Sequence, residues 1–466
     1  MPVLTDRIHT ESLCPVCLKR LPAQRLLAGD EVHLVKTCPQ HGEFRTPVWR
    51  GMPAFEHWQR PKIPVAPPVL LSLREKGCPF DCGLCGDHRQ RSCTIIIEVT
   101  RRCDLACSYC FAAAPSHGPE PSLEALAELF RRAAQAGPGS NIQLSGGEPT
   151  LRDDLPAIVA KGKALGFHFI QVNTNGVRLG RDPAFVEALK QAGLASVFLQ
   201  FDGTEDDIYR RLRGRPLVQE KRAAIEACAA HGIGVVLVPT VVPGVNTHHI
   251  GAILQAALDW VPAVRGVHFQ PVSYFGRYSG APDAAARITL PEVIAAIEDQ
   301  SGGLFQAAHF GPPGCENALC SFHGQFIKMP GGKVMPLKTP ASGACCAAPI
   351  NADVGAARAI SAVARQWTGR ALRLTGTAAD DACACQGAGA PPGNKEGPVP
   401  LSLDTFIDRA RTHTFSVSAM AFQDAWTVAL DRVRDCCIHV MAPDGRLIPF
   451  CLYNLTATDG RRLYRL

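Results

Sequence analysis

Charge is scarce in this chain of 466 residues: Asp, Glu, Lys and Arg make up 19% of it, below the usual quarter. No run of Lys and Arg concentrates what there is, and a net charge of +6 is spread over the whole length. No nucleic-acid partner is therefore expected. The Met1–Leu13 stretch lacks the apolar core of a signal peptide, so a cytoplasmic protein is expected. The longest apolar stretch, Ile233 to Val245, is broken by Pro239, Pro243 and glycines. It is too short to span a bilayer. Cysteine, by contrast, is abundant, with 20 residues. A secreted disulfide scaffold would be shorter and would carry a signal peptide. Clustered C-x2-C and C-x3-C spacings in an intracellular chain point to metal instead. Cys228, alone in an alanine-rich helical stretch, reads as a small core residue. This length suits about two or three domains.

The chain is organised around Cys103-Asp104-Leu105-Ala106-Cys107-Ser108-Tyr109-Cys110, directly after the apolar run Thr94–Thr100. Three thiolates on a tight loop can hold three irons of a [4Fe–4S] cluster and leave the fourth open to a ligand. Structural zinc usually takes four closed ligands. Alone, the loop would also suit a structural metal knuckle. Farther on, the strand-like Ile142–Ser145 is followed by Gly146-Gly147-Glu148-Pro149, and Phe169–Val172 ends in Asn173-Thr174-Asn175-Gly176. Glycines at such a turn let backbone approach a ligand without a Cβ.

A second C-x3-C-x2-C, at Cys78, Cys82 and Cys85, has Cys93 eight residues on. Four thiolates close a cluster, so this loop is expected to be auxiliary. No strand of the right pattern precedes it. At the N-terminus, Cys14-Pro15-Val16-Cys17 and Cys38-Pro39-Gln40-His41 flank a hairpin strand. Cys14, Cys17, Cys38 and His41 are expected to hold one zinc or iron in a ribbon- or rubredoxin-like domain; His41 also reads as a surface histidine. A domain this small needs such a staple. In the tail, Cys436-Cys437, the turn Pro443-Asp444-Gly445 and a returning Cys451 read as a two-strand knuckle. With Cys315 and Cys320 it is expected to complete a second closed set, Cys315, Cys320, Cys437 and Cys451, with Cys436 an equal alternative to Cys437. Cys345, Cys346, Cys383 and Cys385 lie in an Ala-, Gly- and Pro-rich stretch from 341 to 397 and receive no role.

Between residues 94 and 300 short apolar runs alternate with helical stretches. Strands are expected at Ile95–Val99, Ile142–Leu144, His168–Val172, Ser196–Phe201, Val235–Pro239 and Gly266–Gln270. Helices are expected at Leu123–Ala136, Leu155–Leu165, Pro183–Ala192, Arg222–His231 and His249–Trp260. Repeated βα units imply an α/β fold, a parallel sheet with helices outside. Chemistry in such folds sits beyond the C-terminal strand ends. The expected organisation is an N-terminal metal-knuckle domain (1–60), a proline-rich linker with the auxiliary cysteines (61–93), the βα region (94–300) and a C-terminal auxiliary-cluster domain (301–466).

The cysteine loop, GGEP and NTNG, in that order and each at a strand end, resemble the radical S-adenosylmethionine (SAM) enzymes. The N-terminal knuckle, the doubled C-x3-C-x2-C and the PFCxYN tail resemble one subfamily, that of archaeal tetraether lipid synthase and dihydropterin methylase-like proteins with auxiliary iron–sulfur clusters. The resemblance covers nearly the whole chain and departs in the 341–397 stretch. It implies a partial (β/α)6 barrel and a SAM-binding cluster on Cys103, Cys107 and Cys110. It also implies SAM contacts from Gly146, Gly147, Glu148 and Pro149, and from Asn173 and Asn175 at the ribose. Gln200 and Arg213 are expected SAM contacts too, or else a sheet-end cap and a surface charge.

The activity implied is reductive cleavage of SAM to a 5′-deoxyadenosyl radical that abstracts hydrogen from an unactivated carbon, fed by an electron donor such as flavodoxin or ferredoxin. A lipid-like alkyl chain is the expected substrate and a pterin-like small molecule, methylated, the alternative. A multi-cluster electron carrier without turnover would need neither GGEP nor NTNG. The stretch Arg358, Ile360, Val363, Arg365, Trp367, Arg370 and Arg373 reads as a basic amphipathic helix, on a membrane surface or as an ordinary surface helix.

Overall fold

The computed structural model describes residues 7–337, 349–368 and 403–465. Cys345, Cys346, Cys383, Cys385, Arg370 and Arg373 lie outside them. The chain opens with an antiparallel sheet of β1 (Arg7–Leu13), β2 (Arg20–Ala28), β3 (Glu31–Cys38) and β4 (Gly42–Arg50), paired in sequence order. Burial alternates along β3, as expected for a sheet with one face covered. Its cover comes from the far end of the chain. Lys36, fully buried, donates to Ser12 and to the carbonyls of Ala425 and Trp426. Arg25 forms a pair of 2.8 Å bonds with Asp431. The sheet is thus docked on residues 424–434.

The expected strands all form: β5 (Thr94–Thr100), β6 (Asn141–Gly146), β7 (Ile170–Thr174), β8 (Ser196–Gln200), β9 (Gly234–Val238) and β10 (Val264–Pro271). They pair in parallel in that order. The connecting helices are α1 (Leu123–Ala136), α2 (Leu155–Ala164), α3 (Pro183–Gln191), α4 (Val218–Ala230) and α5 (Ile250–Asp259). Ile95, Ile97, Leu144, Val172, Leu199 and Leu237 are 0–1% exposed and pack with Leu126, Ile158 and Leu189 of those helices. Period-two strands facing period-3.6 helices give one continuous layer.

The C-terminal region extends this sheet at both edges. The strand β13 (Thr414–Met420) lies parallel to β10, with Gly266 opposite Ser416. On β13's other side runs antiparallel β11 (Ser321–Lys328), followed by β12 (Val334–Pro336). At the opposite edge β14 (Ile438–Met441) lies parallel to β5 and forms the expected hairpin with β15 (Leu447–Pro449). The C-terminal segment is thus part of the barrel sheet.

The basic segment forms α6 (Leu290–Gln300)'s successor, the helix α7 (Ala352–Gln366). Its Ala352, Gly355 and Ala356 are buried, and Ile360, Val363 and the following Trp367 line an interior cavity. The membrane reading is therefore corrected: the apolar face it needs is turned into the protein. Among the described residues no helix is long and apolar enough to cross a membrane.

Candidate active site and metal centres

Strand β5 delivers Cys103, Cys107 and Cys110 on the loop beyond its C-terminal end, each half-buried. The loop is pinned along its length. The Ser108 N–H donates to the Leu212 carbonyl at 3.0 Å, and Cys110 and Arg277 exchange two backbone bonds of 3.0 Å. The Arg277 guanidinium donates to the Cys107 carbonyl at 2.8 Å. Burial pushes the Cys103 thiol up to about 12. A thiol so placed becomes a thiolate when a cation binds it, as an iron site requires. Three cysteines on a fixed loop, all lining one cavity, fit a [4Fe–4S] cluster with one open iron.

The GGEP turn packs against this loop. A Cβ on Gly146 would fall on the Thr100 carbonyl oxygen, and one on Gly147 on that of Arg102; Gly146 also has φ +134°. Only glycine allows that approach. The Gly147 and Glu148 N–H groups donate to the Thr100 and Arg102 carbonyls, and both glycines line the cavity. Glu148 is 2% exposed and works inward: it accepts from the Thr150 N–H and hydroxyl, the Thr174 hydroxyl and the Asn175 N–H. Burial raises its pKa. It ties GGEP to NTNG, and Pro149 starts the short helical turn that follows.

The two asparagines of NTNG separate. Asn175 donates to Asp104 of the cysteine loop at 2.7 Å and accepts from the Val177 N–H at 2.9 Å. Its side chain is spent on structure. Asn173 lines the cavity, and its side-chain oxygen is buried without a protein partner. Asn173 is thus the one of the pair that presents a free acceptor to a ligand. Gln200 and Arg213 also line the cavity. Arg213 grips Asp202 through bonds of 2.6 and 2.7 Å, and Gln200 donates to the same carboxylate.

Lys221 was invisible to motif reading. It is fully buried and donates to the Asn175 carbonyl and, at 2.7 Å, to Gln200 Oε1. Burial lowers its pKa to about 7. The signal was there: Lys221 sits three, four and seven residues before Ala224, Ile225 and Cys228, on the buried face of α4.

The N-terminal donors converge as expected. The ligand atoms of Cys14, Cys17, Cys38 and His41 lie within 4.8 Å of one another. His41 Nδ1 is 3.6 Å from Cys14 Sγ and 3.4 Å from Cys38 Sγ, and Cys17 Sγ is 3.9 Å from Cys38 Sγ. Such edges suit a tetrahedral ion bound at about 2.0–2.3 Å.

The auxiliary cysteines group differently from the spacing-based expectation. Cys93 joins Cys315 and Cys437, their sulfurs within 4.8 Å of one another. The Cys93 and Cys315 sulfurs are in disulfide contact, yet their Cα atoms are 7.6 Å apart. Disulfides span roughly 4.4–6.8 Å, so the pair suits two thiolates sharing a metal. The Cys93 N–H donates to the Cys437 carbonyl at 2.8 Å. Cys78, Cys82 and Cys85 stand apart, around a small void shared with His88 and Arg434. Cys320 accepts from Arg432 at 3.3 Å, Cys451 from the Gln423 N–H at 3.3 Å, and Cys436 turns to the Ile438 carbonyl.

One cavity of about 580 Å³ joins the Cys103–Cys110 loop to the Cys93, Cys315 and Cys437 group. It begins at Cys103, Cys107 and Cys110, passes Asn173, Gln200 and Arg213, and reaches Cys93, Cys315 and Cys437 at the opposite end of the strands.

A family model described as the radical SAM superfamily matches residues 97–257, and one described as the HMPTM N-terminal zinc ribbon domain matches residues 8–50. The chain is 32% identical to 7,8-dihydro-6-hydroxymethylpterin dimethyltransferase of Methanocaldococcus jannaschii, over 96% of its own length and 93% of that protein's. It is 33% identical to a probable GTP 3′,8-cyclase of Methanothermobacter marburgensis, over 36% of its own length and 58% of that protein's. Similar solved structures include anSMEcpe with bound AdoMet, at 17% identity and TM-score 0.36 over 45% of this chain and 59% of that one. Another is the hydrogenase maturase HydG from Carboxydothermus hydrogenoformans, at 15% identity and TM-score 0.36 over 46% and 53%.

Proposed function

The chain belongs to the radical SAM superfamily and, within it, to the family of the pterin dimethyltransferase just described, and on that footing we propose that it methylates a small pterin-like heterocycle. It is a radical SAM enzyme that uses SAM and iron–sulfur clusters. When bound, cluster and SAM supply the 5′-deoxyadenosyl radical that takes hydrogen from an unactivated carbon. Cys103, Cys107 and Cys110 would hold the cluster, and the acceptors of the GGEP turn would orient the SAM amino group. Asn173 would meet the ribose, and Gln200 and Arg213 would complete the SAM site. With SAM and substrate bound, the barrel wall would limit the access of water to the reacting atoms. A small reducing protein such as flavodoxin or ferredoxin would supply the electron.

The observation that carries the substrate class is one unpaired polar group on a cavity wall that is otherwise mostly apolar. Gln270, on β10, lines it with a side-chain amide that has no hydrogen-bond partner among the described residues. A hydrocarbon there would leave the amide unpaired at about 1–3 kcal/mol, whereas a heterocycle with polar edges can satisfy it. The relative's name points the same way. An alkyl-chain substrate is the second reading, favoured by Ile96, Val238, Met420, Phe422 and Phe450 on the same cavity wall.

The test is incubation of reduced protein and SAM with 7,8-dihydro-6-hydroxymethylpterin, and separately with perdeuterated acyl or isoprenoid lipids. Hydrogen transfer from the pterin to 5′-deoxyadenosine is expected, with methylated pterin as the product when the mixture also holds a methyl donor. Deuterium entering 5′-deoxyadenosine from a lipid, with no change in the pterin, replaces this reading with the second.

A further inference from the structure

Helix α7 closes the barrel at the N-terminal ends of its strands. The Asn141 side chain, at the start of β6, donates to the Ile360 carbonyl at 3.2 Å, and Arg265, at the start of β10, donates to the Gln366 carbonyl at 2.9 Å. The helix hands on to Trp367, whose indole N–H reaches Ser416 of β13 at 3.2 Å. Trp367 faces Phe198 with ring centres 5.4 Å apart and planes 35° apart, and faces His268 at 6.4 Å. Phe198 and His268 are 5.3 Å apart. These three rings line the cavity. Phe198 lies two residues before Gln200 on β8, so the ring floor sits roughly 6–7 Å below the expected SAM layer.

The floor is not purely apolar. His268 Nδ1 is 2.9 Å from the Ser418 hydroxyl, and Nε2 has no hydrogen-bond partner among the described residues. Burial pushes the imidazole down to about 4, so the ring is neutral near pH 7. A neutral imidazole offers one free nitrogen as a partner for a ligand atom. Flat aromatic faces around a single polar atom suit a planar ring with a hydrogen-bonding edge better than a hydrocarbon tail.

We propose that Phe198, His268 and Trp367 form the subsite that recognises the substrate's ring: a planar nitrogen heterocycle lies against the floor made by these three packed rings and shares one hydrogen bond with His268 Nε2. This rests on the reading of the substrate as pterin-like. It makes specificity-determining residues of His268, on β10 of the βα repeat, and of Trp367, which follows a helix outside that repeat.

The experiment uses the full chain, reconstituted anaerobically, with 7,8-dihydro-6-hydroxymethylpterin as the probe. Pterin affinity is measured by equilibrium dialysis, and SAM binding by the change SAM makes in the EPR signal of the reduced cluster. Wild type is compared with Trp367→Ala, Trp367→Phe and His268→Phe. Trp367→Ala and His268→Phe are expected to weaken pterin binding about tenfold, with the SAM-dependent EPR change kept; Trp367→Phe should recover most of the loss, because a ring face remains. If wild type binds the pterin and the Trp367→Phe and His268→Phe variants bind it within about twofold while Trp367→Ala does also, the floor is wrong and the substrate reading stands. If wild type binds no pterin, the substrate reading fails and the ring subsite fails with it.

Discussion

Cys93 stands immediately before β5 and Cys437 immediately before β14. Those strands are parallel neighbours, with Thr94 opposite Ile438, so strand pairing alone brings the two thiols together. That predicts non-additivity. Cys93→Ser and Cys437→Ser should each cost the same share of iron, and the double variant no more than either, because one centre has already been lost. Iron content and the EPR of the reduced protein would check it. Should Cys93→Ser instead be non-additive with Cys82→Ser, the grouping by sequence spacing is the correct one. Asn173 and Asn175 show the same limit of motif reading. Both stand in NTNG, yet one side chain is tied to Asp104 and the other keeps a free buried oxygen.

Among elements, the N-terminal sheet depends on a buried charge. Lys36 spends its ammonium on Ser12 and two carbonyls of the 424–434 segment, and burial lowers its pKa from 10.5 to about 7. Its native pKa lies below its unfolded one, so the unfolded chain binds more protons between about pH 7 and 10.5. The contribution of Lys36 to stability therefore rises with pH across that window, by at most about 1.4 kcal/mol per pH unit. Below about pH 7 the whole cost of burying the charge is in place. Comparing wild type with Lys36→Met cancels the thiols that titrate in both proteins. The difference in unfolding free energy, wild type minus variant, should climb from pH 7 to 9 in denaturant titrations. A flat difference would mean that Lys36 keeps its proton throughout. Helix α7 is the other element whose place decides its meaning. Its composition suits a surface helix, but Asn141 and Arg265 bind its carbonyls beneath the barrel.

Over the whole molecule, the cysteines form separate sets along one cavity and its flanks, and the metal content should reflect that. Reconstituted protein is expected to hold about twelve irons in three four-iron clusters, with one further metal at Cys14, Cys17, Cys38 and His41. The Cys107→Ala variant should lose 5′-deoxyadenosine formation while the auxiliary signals remain. About four irons in wild type, with the other thiols open to alkylation, would overturn the assignment. The sequence by itself determined what depends on neighbours along the chain. The cysteine spacing of residues 103–110, the ribbon knuckles, and the alternating periods that place β5 to β10 and their helices are all local. Each can be read because a loop's reach and a strand's or helix's periodicity are set within about ten residues. Only the tertiary structure decided that Cys93, Cys315 and Cys437 lie together, that β13 and β14 extend the barrel sheet, that Lys221 stands behind Gln200, and that Trp367 floors the cavity. These juxtapositions join residues from 21 positions apart, for Lys221 and Gln200, to well over three hundred, for Ile438 and Thr94, and burial with strand pairing, rather than any spacing, creates them.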